Sequence, residues 1–195
     1  MSGRQVTSER KTAETTVRVV LDLDGTGQTR VATGIGFLDH LLTALGRHGR
    51  FDLELSCQGD LEVDDHHSAE DCALTLGTAL DQALGERRGI QRFGWAYAPL
   101  DEALARAVVD LSGRPWAQVD LGLTREKLGE LSAENVAHVI HSLARSARAA
   151  IHLDVLRGDN DHHRAEAAFK ALALALRQAV AHDGTDTIPS TKEVL

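Results

Sequence analysis

The chain has 195 residues, of which 43% are hydrophobic, and its formal net charge is -8 at pH 7. This composition fits a globular protein with its own core, and the acidic balance argues against a basic face for nucleic acid. No run reaches the roughly 20 apolar residues of a membrane span, and the first residues lack the apolar centre of a signal peptide. We therefore expect a cytoplasmic protein whose partner is a small molecule, with no nucleic acid and no membrane.

The first half begins with a polar arm and continues with periodic segments. Apolar and polar residues alternate over residues 15–23, which predicts a strand. Residues 37–45 follow a helical period that should end near Gly46, and residues 51–57 alternate as a second strand. This order predicts strand, helix and strand.

An apolar stripe after residue 64 predicts a second helix. Asp64 or Asp65 should cap it and Gly85 should end it. Cys57 and Cys72 lie on apolar faces without the spacing of metal ligands, so we expect buried free thiols.

The second half repeats this plan. Strand, strand, helix, strand and helix are predicted at residues 105–111, 116–121, 136–143, 151–155 and 165–180. Because the strands alternate and are not uniformly apolar, we predict an α+β fold of mostly antiparallel sheet with helices on one face. The chain is expected to be one domain over residues 1–195, with pseudo-repeats at about 10–90 and 91–184 and an irregular tail at 185–195.

The same His-His-x-x-Glu cassette occurs twice, at residues 66–70 and 162–166, 96 residues apart. Each copy follows another histidine at a similar distance, with His40 26 residues before the first and His138 24 residues before the second. One such cassette at a helix start is usually just polar surface, but the matched pair indicates metal ligation.

Helix geometry assigns directions to these side chains. Positions i and i+4 share a face, so His66 with Glu70, and His162 with Glu166, can each hold one ion. The second histidine of each cassette points about 100° away and is free to serve a different ion. Eight residues then give two sites of three imidazoles and one carboxylate, namely His40, His66, His67, Glu70, His138, His162, His163 and Glu166.

These positions leave two questions open. Either lone histidine can complete either site, and the two halves can meet within one chain or across a subunit boundary. Four such ligands leave two places of an octahedron free, which suits Mn²⁺ or Fe²⁺ and a site that admits a substrate. Structural zinc more often recruits thiolates.

Several motifs occur in an order that resembles the imidazoleglycerol-phosphate dehydratase family, and the match runs essentially end to end. They are Gly36-Phe37-Leu38-Asp39-His40, Asp64-Asp65-His66-His67 with Glu70-Asp71, Pro99-Leu100-Asp101-Glu102-Ala103, Asp110-Leu111-Ser112-Gly113-Arg114-Pro115 and Ile188-Pro189-Ser190-Thr191-Lys192. The resemblance implies a duplicated unit similar to the second domain of ribosomal protein S5, and a homo-oligomeric shell of twenty-four subunits with active sites at subunit contacts.

The resemblance also implies a lyase of histidine biosynthesis that removes water from D-erythro-imidazole glycerol phosphate to give imidazole acetol phosphate. Two Mn²⁺ ions per active site would favour the imidazolate form of the substrate, which expels a hydroxyl to leave a diazafulvene. The implied metal ligands fall on the same eight positions. Catalytic roles would fall on Glu14, Glu70 and Glu166, and further substrate contacts on His48, Arg92, Arg114, Ser190, Thr191 and Lys192.

Two other functions suit parts of this pattern. A dinuclear hydrolase acting on a phosphate ester would use similar ions, although such sites contain more bridging aspartates. A metal-storage shell would explain the histidines but not Arg92, Arg114 and Lys192. Whether Glu14 or a water molecule is the base also stays open.

Overall fold

The structure, a computed structural model, describes residues 3–195. This range contains four helices, α1 (Gly36–Gly49), α2 (His66–Leu84), α3 (Ala133–Ser146) and α4 (Asp161–Ala179). Its strands are β1 (Gln5–Lys11), β2 (Thr15–Asp22), β3 (Thr29–Ala32), β4 (Asp52–Gly59), β5 (Phe93–Leu100), β6 (Ala103–Asp110), β7 (Trp116–Asp120), β8 (Lys127–Leu128), β9 (Leu131–Ser132) and β10 (Ala150–Arg157).

Two four-stranded sheets have the same topology within the described range. Their orders are β1-β2-β4-β3 and β5-β6-β10-β7, so corresponding strands take corresponding places. Each sheet has two antiparallel pairs and one parallel pair, the latter being β3 with β4 and β7 with β10. The helices also correspond in length, since α1 and α3 have 14 residues and α2 and α4 have 19. The predicted α+β fold with internal duplication is confirmed.

The helices occupy the space between the two sheets. Helices α1 and α2 cover the first sheet and α3 and α4 cover the second, while α1 packs on α4 and α2 packs on α3. The alternating strands direct their apolar residues inward, and Val17, Val19 and Leu21 of β2 are almost completely buried. Because each helix pair joins the two halves, side chains near the helix N-termini of one half meet those of the other.

The polar N-terminal arm contains a strand that the sequence pattern did not predict. Strand β1 pairs along its whole length with β2, yet only Ser8 among its side chains is buried. An edge strand of this kind is held by backbone hydrogen bonds, so it carries no apolar alternation. Strands β3 and β5 were missed as well, because β3 has four residues and β5 places large aromatic side chains outward.

The prediction that α1 ends near Gly46 was wrong, because the helix continues to Gly49. A Cβ atom at position 46 would lie 2.6 Å from Cγ2 of Thr29 and 3.3 Å from Cβ of Leu53. Gly46 therefore allows the helix to approach the sheet closely. By contrast, the predicted end of α2 at Gly85 is confirmed.

The C-terminal tail has no regular element, as predicted, but it lies along a defined path. The N–H of Gly89 donates to the carbonyl of Thr187 at 2.8 Å, and the Arg88 guanidinium donates to the carbonyl of Asp186 at 2.9 Å. Cys57 and Cys72 are buried and free, as expected. No helix in residues 3–195 combines the length and the apolar character needed to cross a membrane.

Candidate metal centres

Two groups of histidine and carboxylate atoms form within the described residues. His66, Glu70 and His138 make one group, named here the α2–α3 cluster, and His40, His162 and Glu166 make the other, the α1–α4 cluster. In each group the potential ligand atoms lie within 4.8 Å of one another. Each cluster combines the cassette of one half with the lone histidine of the other half, so His138 lies beside His66 and Glu70, and His40 lies beside His162 and Glu166.

In the α1–α4 cluster, Glu166 is the central acceptor. Its Oε2 atom lies 2.8 Å from Nε2 of His40 and 3.2 Å from Nε2 of His162, while Lys170 Nζ lies 2.6 Å from its Oε1 atom. Burial alone would raise the pKa of Glu166, but the hydrogen bonds from Lys170 and His40 outweigh it and hold this pKa at about 2. The carboxylate is therefore ionised and its two oxygens face different partners.

The α2–α3 cluster has the same ligand types in different surroundings. Glu70 Oε1 lies 3.2 Å from Nε2 of His138, and the rings of His66 and His138 are 4.7 Å apart. His66 Nδ1 lies 3.0 Å from Oδ1 of Asn135, an atom that can only accept. That hydrogen bond fixes the His66 ring and leaves its Nε2 atom as the free ligand.

His67 and His163 lie outside both clusters, in keeping with the angle between neighbouring helix positions. The Nδ1 atom of His67 lies 3.1 Å from Oδ2 of Asp60, and that of His163 lies 2.7 Å from Oε2 of Glu102. These hydrogen bonds raise the pKa of both histidines. The Nε2 atoms of both rings remain available for a cation.

The cassette helices begin at acceptors that the sequence partly predicted. Asp64 Oδ1 accepts from the N–H of His66 at 2.8 Å, and Asn160 Oδ1 accepts from the N–H of His162 at 2.9 Å. Asp65, the alternative cap, instead accepts from the backbone and hydroxyl of Ser132 at 2.6 and 2.8 Å. Asp65 thus ties the start of α2 to the strand that leads into α3.

Glu14, the candidate base, lies in the turn between β1 and β2. Its Oε1 atom is 3.7 Å from Nε2 of His67, which is close enough for attraction and too far for a hydrogen bond. The side chain is half-exposed and its backbone N–H donates to Oγ1 of Thr12. The structure thus brings Glu14 next to a cassette histidine.

The candidate phosphate contacts form a separate group at the C-terminal tail. Arg92 donates to Asp110 at 2.7 Å and to the carbonyl of Pro189 at 2.8 Å, and the Arg114 guanidinium contacts the carbonyl of Ser112. In residues 3–195, no hydrogen bond or ion pair joins this group to either cluster. The remaining members, Ser190, Thr191 and Lys192, lie in the turn that ends the tail.

His48, another candidate substrate contact, lies on the α4 side of α1. The protein around the ring and the positive charge of Lys170 disfavour the protonated form and lower the pKa of His48, so the ring is mostly neutral near pH 7. His48 is exposed, which keeps it accessible beside the α1–α4 cluster.

Sequence reasoning missed four residues that contact the cassettes: Asp60, Glu102, Asn135 and Lys170. Two of them could have been found from their spacing. Asn135 precedes His138 by three positions and Lys170 follows Glu166 by four, and both spacings place side chains on one helix face. Asp60 and Glu102 reach the histidines from loops, where sequence spacing gives no such guide.

Comparison with known proteins gives consistent matches. Residues 33–176 match the family model described as imidazoleglycerol-phosphate dehydratase. Among curated relatives of that name, the protein from Phytophthora nicotianae is 60% identical over 98% of this chain and 42% of its own length. The one from Candida glabrata is 54% identical over 96% of this chain and 98% of its own length.

Solved structures agree with these relatives. The imidazoleglycerol-phosphate dehydratase from Staphylococcus aureus has a TM-score of 0.81 and 34% identity, covering 91% of this chain and 99% of that one. The structure of the enzyme from Pyrococcus furiosus in complex with (S)-C348 has a TM-score of 0.83 and 36% identity, covering 96% and 99%.

The fold, the paired clusters and these matches define an enzyme of the hydro-lyase class, which breaks a carbon–oxygen bond by removing water. The chain belongs to the imidazoleglycerol-phosphate dehydratase family.

Proposed function

We propose that this chain removes water from D-erythro-imidazole glycerol phosphate to give imidazole acetol phosphate, a step of histidine biosynthesis. The observation that carries the proposal is the pair of clusters, each built from the cassette of one half and the lone histidine of the other. Membership of the family supplies the substrate, because its relatives carry that substrate in their name.

The donors of both clusters fit a divalent ion such as Mn²⁺. Imidazole nitrogen and carboxylate oxygen suit Mn²⁺ or Fe²⁺, whereas the two thiols of the chain are buried away from the clusters. We propose two Mn²⁺ ions per active site, one on each cluster. His67 and His163 would supply the fourth protein ligand of each site from a neighbouring subunit, because neither histidine belongs to a cluster of its own chain.

The reaction needs help because the hydrogen to be removed sits on a carbon with no adjacent carbonyl. When bound, two divalent ions would supply positive charge that favours the anionic imidazolate ring of the substrate. The electrons of that ring would expel the hydroxyl of the adjacent side-chain carbon as hydroxide, which takes up a proton to leave as water. The diazafulvene that remains has an acidic neighbouring C–H. Loss of that proton gives an enol, which becomes the ketone.

Glu14 is the proposed base for the C–H proton. It lies 3.7 Å from Nε2 of His67, the atom that we propose to bind one of the two ions. An exposed carboxylate at this place can take a proton from the side chain of the substrate and release it to solvent.

The phosphate group of the substrate is assigned to the tail. Arg92 and Arg114 provide forked donors, and Lys192 adds a compact positive charge. Arg92 already holds the tail through the carbonyl of Pro189, so the tail residues Ser190 and Thr191 are kept near this arginine. Since the tail lacks polar contacts with either cluster in the described part of the chain, we propose that a neighbouring subunit supplies the clusters.

A homo-oligomer follows from this sharing, and a shell of twenty-four subunits is the proposed form. Large apolar side chains are exposed on the second sheet, where Trp95, Tyr97 and Trp116 are each more than half exposed. Exposed aromatic patches of this kind are typical of protein interfaces. The cytoplasmic location expected from the sequence stays a prediction.

The test is turnover of imidazole glycerol phosphate by protein stripped of metal and then supplied with Mn²⁺. Ketone product and free phosphate are followed together. We expect ketone that depends on Mn²⁺, without release of phosphate. A Glu14→Gln variant, which keeps the size of the side chain, should bind Mn²⁺ normally and turn over slowly.

Two other outcomes would overturn the proposal. Release of phosphate would indicate a dinuclear hydrolase, and bound Mn²⁺ without either product would indicate metal storage. Normal turnover by Glu14→Gln would leave the dehydratase in place and assign the proton transfer to water.

A further inference from the structure

His67 and His163 share a geometry that the other cassette histidines lack. Each ring binds a carboxylate through Nδ1, with Asp60 at 3.1 Å from His67 and Glu102 at 2.7 Å from His163. A carboxylate can only accept, so each Nδ1 carries a proton, and in the neutral form of the ring the lone pair is then on Nε2. Both rings are thereby held in the tautomer that presents Nε2.

The two carboxylates come from loops outside the cassettes. Asp60 directly follows β4, and Glu102 lies in the turn between β5 and β6. Glu102 is the residue just before β6, and Glu14 is the residue just before β2, the corresponding strand of the first half. The duplicated hairpin therefore places a glutamate beside a cassette histidine twice, facing Nε2 in the first half and Nδ1 in the second.

We infer that Asp60 and Glu102 are positioning residues, which fix the tautomer and direction of His67 and His163 so that each Nε2 can bind a metal ion held by another subunit. This inference rests on the proposed function, since it takes both histidines as ligands. The two corresponding glutamates then have different roles, since Glu14 acts on the substrate and Glu102 acts through His163. Hydrogen bonds of this kind orient metal-binding histidines in other proteins.

Glu102 also has a second set of contacts that a test must separate. Its Oε1 atom accepts from the N–H groups of Asp159 and Asn160 at 3.1 and 2.9 Å, which holds the loop before α4. Only its Oε2 atom contacts His163. Glu102→Gln keeps an oxygen for the loop but turns an amide N–H toward Nδ1. The ring must then move its proton to Nε2 or turn away.

The experiment is a titration of purified, metal-free protein with Mn²⁺, with free Mn²⁺ measured by electron paramagnetic resonance. We expect Glu102→Gln to weaken binding at the affected site by about 10- to 100-fold, as partners behind metal-binding histidines do. Both oxygens of Asp60 lie within 3.2 Å of Nδ1 of His67, so the variant here is Asp60→Leu, which leaves no acceptor and should weaken binding to a similar degree at the other site. Turnover of both variants should recover when Mn²⁺ is raised, which a misfolded protein would not do.

Asp101→Asn is the matched control for the loss of charge. Its Oδ2 atom lies 3.9 Å from Nε2 of His163 and the side chain is 75% exposed. This variant removes a negative charge beside the same ring and leaves Nδ1 untouched. Its Mn²⁺ affinity should fall less than about 5-fold, the limit for an exposed pair of charges.

Three results would count against the inference. Wild-type affinity in Glu102→Gln, together with weak binding in Glu102→Ala, would show that Glu102 serves only the loop. Equal losses of Mn²⁺ affinity in Glu102→Gln and Asp101→Asn would show that Glu102 acts only through its negative charge. If the wild-type protein itself bound no Mn²⁺, the proposed function would fail together with this inference, whereas the first two results would leave that function standing.

Discussion

The two clusters present the same ligands in unequal surroundings. Three positions before the lone histidine, the α2–α3 cluster has Asn135, which binds His66, whereas the α1–α4 cluster has Phe37, whose ring stands edge-on to His162 at 5.1 Å. Four positions after the cassette glutamate, Leu74 stands in the first half and Lys170 in the second.

The two repeats therefore share their candidate ligand residues but differ in the residues around them. The ligand atoms are kept, because each ion needs imidazole and carboxylate at fixed distances. The neighbours vary, and we expect them to set how strongly each cluster attracts a cation. Lys170 partly neutralises Glu166, so we expect the α2–α3 cluster to bind Mn²⁺ more tightly than the α1–α4 cluster.

Removal of a ligand should have the largest effect on this comparison. His66→Ala and His162→Ala each delete one imidazole from one cluster. Each should lower Mn²⁺ binding from two ions per chain to one. Turnover should fall by more than about 100-fold, because loss of a residue that only hydrogen-bonds to a metal ligand already costs up to about that factor. Metal content by mass spectrometry and turnover check this. Equal loss of both ions in either variant would contradict two separate sites.

The substitutions Asn135→Leu and Phe37→Leu test the unequal neighbours at matched positions. Asn135→Leu removes the acceptor for His66 Nδ1, so Mn²⁺ affinity of the α2–α3 cluster should fall by about 10- to 100-fold. Phe37→Leu removes only ring contacts, with His40 and His162, and should change Mn²⁺ affinity much less. Isothermal titration with Mn²⁺ measures both. A larger loss in Phe37→Leu would reverse the assignment.

Exchange of Leu74 and Lys170, the residues four positions after each cassette glutamate, should change Mn²⁺ affinity less. Lys170→Leu removes the cation 2.6 Å from Glu166 and should tighten Mn²⁺ binding at the α1–α4 cluster by about 5-fold. Leu74→Lys should weaken the α2–α3 cluster by a similar factor. The same titration applies, and an unchanged affinity in both variants would mean that the lysine does not compete with the ion. Turnover is not the readout, because Lys170 also faces the proposed site.

The last prediction concerns stability at low pH in the metal-free protein. The pKa of Glu166 falls from 4.5 to about 2 in the folded chain. A lowered pKa stabilises the fold above about 4.5, and this stability is lost as the pH falls toward 2. Glu166→Gln should therefore flatten the decline of the urea midpoint over that range. An identical decline in both proteins would show that Glu166 does not contribute.

The sequence predicted the elements whose side chains point into the core. Strand β2 was evident from its alternation, whereas β1 was missed because an edge strand needs only backbone partners. The end of α1 was misplaced at Gly46, since a glycine that permits close packing resembles one that ends a helix. Local patterns therefore show burial well and pairing poorly.

The candidate site divides in the same way. The repeated cassettes predicted the directions of their side chains, because helix geometry is regular. The choice between His40 and His138 needed the packing of α1 on α4 and of α2 on α3, which no local pattern contains. The carboxylates of Asp60 and Glu102 reach the rings from loops and were missed for the same reason.

The most direct test of two metal centres is anomalous diffraction from crystals grown with Mn²⁺. We expect one anomalous peak on each cluster of every chain, with Nε2 of His67 or His163 of a neighbouring chain completing each site. A single peak per chain, or peaks away from both clusters, would contradict it.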